Sequence, residues 1–157
     1  MKKRILFVCL GNICRSPTAE GVFQRAVDDA GLSDFIRVDS CGVGHWHVGK
    51  APDERAQLAA KRRGIDISCL RARQLSANDF LVFDYVLAMD RDNLSAMRAL
   101  QPPESQARVG LFLAFAGMPD AEVPDPYYGG EEGFEAVLDM IQKASEGLIA
   151  ELINGRQ

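Results

Sequence analysis

The chain of 157 residues has no hydrophobic run long enough to span a membrane: Ile5 to Leu10 and Val109 to Ala116, its longest, fall far short of the ~18 residues required. Nor does a secretory-type apolar core follow Met1-Lys2-Lys3-Arg4, which lead directly into a strand-like segment, so a cytoplasmic protein without membrane contact is expected. Positive charge is in deficit, with 18 Lys and Arg against 22 Asp and Glu. A net charge of −4 speaks against a nucleic-acid surface, because such affinity comes from clustered cations, and Lys61-Arg62-Arg63 reads as the solvated end of a helix. The four cysteines, at positions 9, 14, 41 and 69, fit no zinc-ligand spacing, and a chain of this size needs no disulfide framework. Reduced thiols are expected. Histidine is scarce: His45 and His47 flank the single tryptophan, Trp46, without a carboxylate or cysteine partner at ligand spacing, and read as solvated or packed. Repeats, low-complexity segments and linkers are missing, and 47% apolar residues suffice for one core, so residues 1–157 are read as a single domain.

What is present is an alternation of strand and helix signals. Arg4 to Cys9 is apolar and β-branched enough for a buried strand, and Ala19, Val22, Phe23, Ala26 and Val27 recur at helical spacing within Thr18 to Ala30. A second strand is expected over Ile36 to Cys41, followed by a loop, Gly42 to Gly49, and a helix over Pro52 to Arg63 with Pro52 near its first turn and Gly64 closing it. Ser76-Ala77-Asn78-Asp79 resembles a short capped helix start, Asp84 to Met89 a third strand, and Asn93 to Leu100 a helix ended by Pro102-Pro103. Val109 to Phe115 is apolar enough for a fourth strand, and Glu131 to Ile153 has the apolar stripe of an amphipathic helix. Such alternation implies an α/β fold with a parallel sheet covered on both faces, whose ligands bind outside the carboxyl ends of the strands.

The loop after the first strand, Cys9-Leu10-Gly11-Asn12-Ile13-Cys14-Arg15-Ser16, falls there. A strand that runs through a Gly-containing loop into a helix aims backbone N–H groups and the positive end of the helix dipole at one point, which suits an anion. Cys9 sits where its thiolate is stabilised by those amides and by Arg15, beneath a bound phosphate held by Leu10, Gly11, Asn12, Ile13, Cys14, Arg15 and Ser16. Gly11 lets backbone come close, and Asn12 tolerates the left-handed conformation that turns an N–H inward. Arg15 offers two parallel N–H bonds to phosphate oxygens, and Ser16 can hydrogen-bond the sulfur.

A thiolate that displaces an alcohol from phosphorus needs a proton for the departing oxygen, and Asp125, fixed between Pro124 and Pro126, is the candidate acid. A phenol leaves more readily than an aliphatic alcohol, so aryl phosphates are favoured. Trp46, Tyr127 and Tyr128 are loop aromatics suited to line the approach. No metal and no cofactor is called for, since Arg15 and the amides neutralise the phosphoryl charge. A thiolate is readily oxidised, and Cys14, five residues on, is placed to trap Cys9 as a reversible disulfide.

The stretch Phe7 to Glu20, with Asp125-Pro126-Tyr127-Tyr128-Gly129, Val38-Asp39-Ser40, Trp46-His47-Val48-Gly49, Ala72-Arg73-Gln74 and Phe83-Asp84-Tyr85, resembles the low-molecular-weight protein tyrosine phosphatases. The resemblance implies a three-layer α/β/α architecture with a four-stranded parallel sheet and an N-terminal phosphate-binding loop. It implies a metal-free phosphoenzyme mechanism with Cys9 as nucleophile, Arg15 as phosphate ligand and Asp125 as acid then base. It also implies a loop-supporting hydrogen-bond network through Asn12 and Ser40. Phosphotyrosine-containing proteins are the implied partners, a bacterial tyrosine kinase among them. Two positions depart from the pattern: Cys69 stands where many relatives have a nearby His that supports the network, and Cys41 replaces the small residue after Ser40. Three other functions compete. Arsenate reduction needs two further thiols downstream, and none follows Cys69. Phosphoarginine hydrolysis is associated with Thr at the position of Ile13, whose apolar side chain favours an aromatic ring. A non-catalytic phosphate sensor needs neither a nucleophile nor an acid.

Overall fold

A computed structural model describes residues 2–155. Four parallel strands, β1 (Lys3–Cys9), β2 (Ile36–Gly42), β3 (Tyr85–Ala88) and β4 (Arg108–Leu111), form one sheet in the order β2-β1-β3-β4. The helices are α1 (Arg15–Asp29), α2 (Glu54–Arg62), α3 (Asp79–Val82), α4 (Arg91–Leu100) and α5 (Glu131–Asn154). β1 is central and buried on both sides, so its alternate residues feed two cores. Ile5, Phe7 and Cys9 face α1, α2 and α5, while Leu6 and Val8 face Phe80 of α3 and Met97 of α4. That gives the three layers expected. Phe7 anchors the larger core, its ring 5.7 Å from Phe23 edge-on and 4.7 Å from Phe112; truncating such a side chain to alanine costs ~3–5 kcal/mol.

The fourth strand is shorter than expected. Only Arg108–Leu111 pair with β3, which itself ends at Ala88, so the chain beyond Leu111 has no partner strand. Phe112–Ala116 instead winds into a 3-10 turn that buries Phe112 and Leu113 and ends at Gly117 with φ 78°. A short buried apolar run has the same composition in either conformation. The second helix starts later than Pro52, because Asp53 is the better cap: its side chain accepts from Arg55 N at 2.8 Å, and its own N–H donates to Ile13 O at 2.8 Å. Conversely α4 starts two residues before Asn93, since Asp90 and Asn93 cap it reciprocally, at 2.8 and 3.3 Å.

Candidate active site

β1 delivers Cys9 to the carboxyl edge of the sheet, opposite Gly42 of β2. Val43 N and Gly44 N donate to the carbonyls of Cys9 and Leu10, both at 2.9 Å, and hold the loop against the chain that follows β2. A Cβ on Gly42 would lie 2.9 Å from the Gly11 carbonyl carbon and 3.0 Å from Asn12 N, both backbone, so close packing of the loop depends on that glycine, whereas a Cβ on Gly11 would meet the His47 side chain at 2.9 Å. Asn12 alone among the described non-glycine residues takes a positive φ, 59°, as expected for the residue that turns the loop inward. α1 then begins at Arg15 with Cys14 in the capping position and no side-chain cap for the helix's first donors.

Side chains beneath the loop form a continuous chain of hydrogen bonds. Cys9 Sγ lies 3.0 Å from Ser16 Oγ and accepts from Asn12 N at 3.3 Å. The Asn12 amide nitrogen donates to Ser16 Oγ at 2.7 Å and to Ser40 Oγ at 3.0 Å, and its oxygen accepts from Arg73 N at 3.0 Å. Ser40 Oγ donates in turn to Glu20 Oε1 at 2.7 Å. Burial, reinforced by Asp39 and opposed by the Ser40 bond and Arg73, pushes the Glu20 carboxyl from 4.5 up to about 7. Ser40 thus joins Asn12 as the resemblance implied, but nothing in the local sequence singled out Glu20.

Arg15 is buried and doubly anchored through Nη1, which donates to Asp90 Oδ2 at 2.6 Å and to Val123 O at 3.0 Å. Its other terminal nitrogen lies 3.7 Å from Asp125 Oδ2. Burial disfavours the charged guanidinium, but Cys9, Asp90 and Asp125 together outweigh that penalty and keep it cationic. Cys9, Arg15 and Asp125, the expected nucleophile, phosphate ligand and acid, line one cavity of about 320 Å³ together with Ile13, Cys14 and the three rim aromatics. Asp125 is itself braced, its Oδ1 accepting from Tyr127 N at 3.0 Å. Asp90 was missed by sequence reasoning; its spacing from Asn93 marks a helix cap but says nothing of Arg15.

The rim is exposed and aromatic: Trp46 is 61% and Tyr128 91% accessible, and the Tyr127 and Tyr128 rings meet edge-on at 5.0 Å. Arg55 clamps this segment, donating to Tyr127 O at 2.8 Å and Gly129 O at 3.3 Å while its guanidinium stacks 4.9 Å over Phe134. Cys14 is buried in the cavity wall, where desolvation and the neighbouring Asp53, Cys9 and Asp125 push its thiol well above the ordinary range. It remains a neutral thiol. Cys41 points away into the smaller core with Leu6 and Val8, which explains how a larger residue is tolerated there, and Cys69 is exposed. All four thiols are free. Among the described residues, no three His, Cys, Asp or Glu cluster as a metal site requires, and no helix is long and apolar enough to cross a membrane.

A sequence profile described as low molecular weight phosphotyrosine protein phosphatase matches residues 4–157. The low molecular weight phosphotyrosine protein phosphatase of Schizosaccharomyces pombe is 50% identical over 133 residues, 83% of this chain and 85% of that protein. Among solved structures, a protein tyrosine phosphatase from Entamoeba histolytica superposes with a TM-score of 0.93 at 38% identity, over 99% of this chain and all of that one. A Drosophila arginine phosphatase superposes with a TM-score of 0.87 at 36% identity, over 97% and 98% of the two chains.

Proposed function

The chain belongs to the low molecular weight phosphotyrosine protein phosphatase family, and on that premise we propose that it hydrolyses protein phosphotyrosine through a cysteinyl-phosphate intermediate. One observation carries the proposal: Cys9, Arg15 and Asp125 meet at a single cavity although 110 residues separate the last two. In the first step the Cys9 thiolate attacks phosphorus, the ester P–O bond breaks, and Asp125 gives its proton to the departing phenolate. In the second step the Asp125 carboxylate takes a proton from water, whose oxygen attacks the phosphocysteine and expels the thiolate, to which Ser16 donates. Arg15 and the loop amides follow the spreading negative charge through both transition states; losing one such donor typically costs ~10²–10³ in rate.

Hydrolysis of p-nitrophenyl phosphate in the presence of EDTA tests the proposal, with a Cys9→Ser variant that retains inorganic phosphate but does not turn over. Phosphate binding without turnover in the native protein would instead identify a sensor. The structural likeness to an arginine phosphatase makes phosphoarginine the second reading. Ile13 on the cavity wall presents an apolar surface that suits a ring better than a guanidino group, so kcat/KM on a phosphotyrosine peptide should exceed that on its phosphoarginine counterpart. Arsenate reduction lacks its relay, because the only cysteine beyond Cys41 is the exposed Cys69.

The same proposal extends to setting and control. Phosphotyrosine proteins, including a tyrosine kinase, are the partners, and free thiols suit a reducing cytoplasm. Peroxide converts the Cys9 thiolate to a sulfenic acid, which condenses with the Cys14 thiol to a disulfide and water.

A further inference from the structure

Two of the groups beneath the loop have their hydrogens fully assigned by geometry. The Asn12 amide spends one N–H on Ser16 Oγ and the other on Ser40 Oγ, so neither hydroxyl can direct its own hydrogen back at Asn12. The Ser40 hydrogen therefore goes to Glu20 Oε1, and the Ser16 hydrogen has two choices, Cys9 Sγ at 3.0 Å or the Cys41 carbonyl at 3.2 Å. When the sulfur is a thiolate, the stronger acceptor is the sulfur. Ordered in this direction, the chain has an anion at each end: Glu20 on one side, the Cys9 thiolate on the other.

We propose that Glu20 is a positioning residue whose anionic form anchors this network, and that a proton on Glu20 loosens the Asn12 amide and weakens Ser16 donation to the nucleophile. The inference rests on the phosphatase reading and adds a control point to that same site. A proton on Oε1 sets two hydrogens between Glu20 and Ser40, and a proton on Oε2 leaves a neutral acceptor of about half the strength. Either way the charge-assisted end of the chain is lost.

The surroundings favour titration near neutrality. Among the described residues no cation is bonded to the Glu20 carboxylate: Arg73, which favours its charge, is held by Asp39 of β2 at 3.0 Å and by Asp79 at 3.1 Å. Asp39 itself opposes a charge on Glu20. On the other side Glu20 borders a groove of about 340 Å³ shared with Arg25 and Asp28 of α1 and with Asp66, and Arg25 is engaged by the carbonyls of Arg63 and Gly64 at 3.0 Å. The groove lets solvent protons reach a carboxyl whose partners are otherwise buried.

Glu20→Gln keeps a carbonyl acceptor for Ser40 and cannot ionise, so it stands in permanently for the protonated state. The test is the ratio of wild-type to Glu20→Gln kcat/KM on p-nitrophenyl phosphate between about pH 5.5 and about pH 8, in which titration of the substrate cancels. A single group titrating near 7 changes its ionised fraction about tenfold between about pH 6 and about pH 8. The ratio should rise threefold or more across the range, and Ser40→Ala, which cuts the relay but leaves Glu20 in place, should show the same pH profile as Glu20→Gln. A smaller rise, or a Ser40→Ala profile that follows wild type, overturns the proposal. Asn12 side-chain amide signals read by NMR without substrate should titrate near neutrality in wild type and stay flat in Glu20→Gln. If no phosphate ester is turned over, the phosphatase reading fails while the Asn12 signals still decide the role of Glu20.

Discussion

Asp90 performs two tasks with two oxygens, and substitutions can separate them. Oδ1 accepts from Asn93 N and caps α4; Oδ2 takes Arg15 Nη1 at 2.6 Å. Asp90→Ala removes both. Loss of the cap costs about 1 kcal/mol. Leaving a guanidinium that is only 3% exposed without its carboxylate adds about 3 kcal/mol, the lower end of the range for broken buried pairs because the Asp90 side chain is 21% exposed. Asp90→Asn keeps an oxygen for the cap and loses only the charge, so its penalty should be smaller by about 1 kcal/mol. The assay is urea unfolding with and without saturating inorganic phosphate. Bound phosphate supplies the missing negative charge to Arg15, so the Asp90→Ala penalty should shrink in its presence while the cap component persists. An Asp90→Ala penalty under about 1 kcal/mol, or one that phosphate leaves unchanged, would refute the idea that Asp90 compensates the Arg15 charge.

Asp125→Ala should slow aryl phosphate cleavage most for phenols of high pKa, seen as a steeper dependence of kcat/KM on leaving-group pKa; parallel plots for variant and wild type would remove Asp125 from the acid role. Arg15→Lys should be nearly as inactive as a nucleophile variant, because an ammonium cannot use Nη1 for Asp90 and Val123 while presenting a second nitrogen to phosphate; turnover within tenfold of wild type counts against this. Peroxide inactivation should reverse with dithiothreitol in wild type and become largely irreversible in Cys14→Ser, with mass spectrometry detecting a Cys9–Cys14 crosslink only in wild type. Glu20 bears on stability as well. Its folded value lies above its unfolded one, so the folded chain holds the extra proton between about 4.5 and about 7, and this group makes stability fall as pH rises through that window. Glu20→Gln should flatten that fall, worth up to about 3 kcal/mol at pH 8, in urea melts; an identical pH dependence in both proteins would contradict it.

The parts of the site that could be read in the sequence are those whose partners are close in the chain. Cys9, Asn12, Arg15 and Ser16 fall within one strand-loop-helix turn, so local conformational rules suffice to bring them together, and Asn12 does adopt the left-handed backbone. Asp125 was legible for another reason: prolines on both sides mark a rigid segment with an acid at its centre. Glu20, Arg55 and Arg73 carry no such mark. Each is a charged residue that local pattern assigns to a solvated surface, and each acquires its role only from a partner brought in by tertiary structure: Ser40 for Glu20, the Tyr127 carbonyl for Arg55, and Asp39 and Asp79 for Arg73. The fourth strand was overextended because an apolar run does not reveal where its neighbour ends.

Asp90 shows what information would have closed the gap. Alternating strands and helices imply a parallel sheet but leave strand order open, and the order β2-β1-β3-β4 is what places the end of β3 beside the end of β1. Given the register Val8 to Ala88, and Met89 N on the Val8 carbonyl at 3.1 Å, the residue that follows Met89 must arrive beside the loop that follows Cys9. An acidic residue at that step meets the arginine that opens α1. Val123 N in turn bonds the Met89 carbonyl at 2.8 Å, which carries the Val123-Pro124-Asp125 segment to the same edge. One seam between two central strands therefore brings Cys9 and Arg15, from a single strand-loop-helix turn, together with Asp90 and Asp125 from two distant stretches of chain.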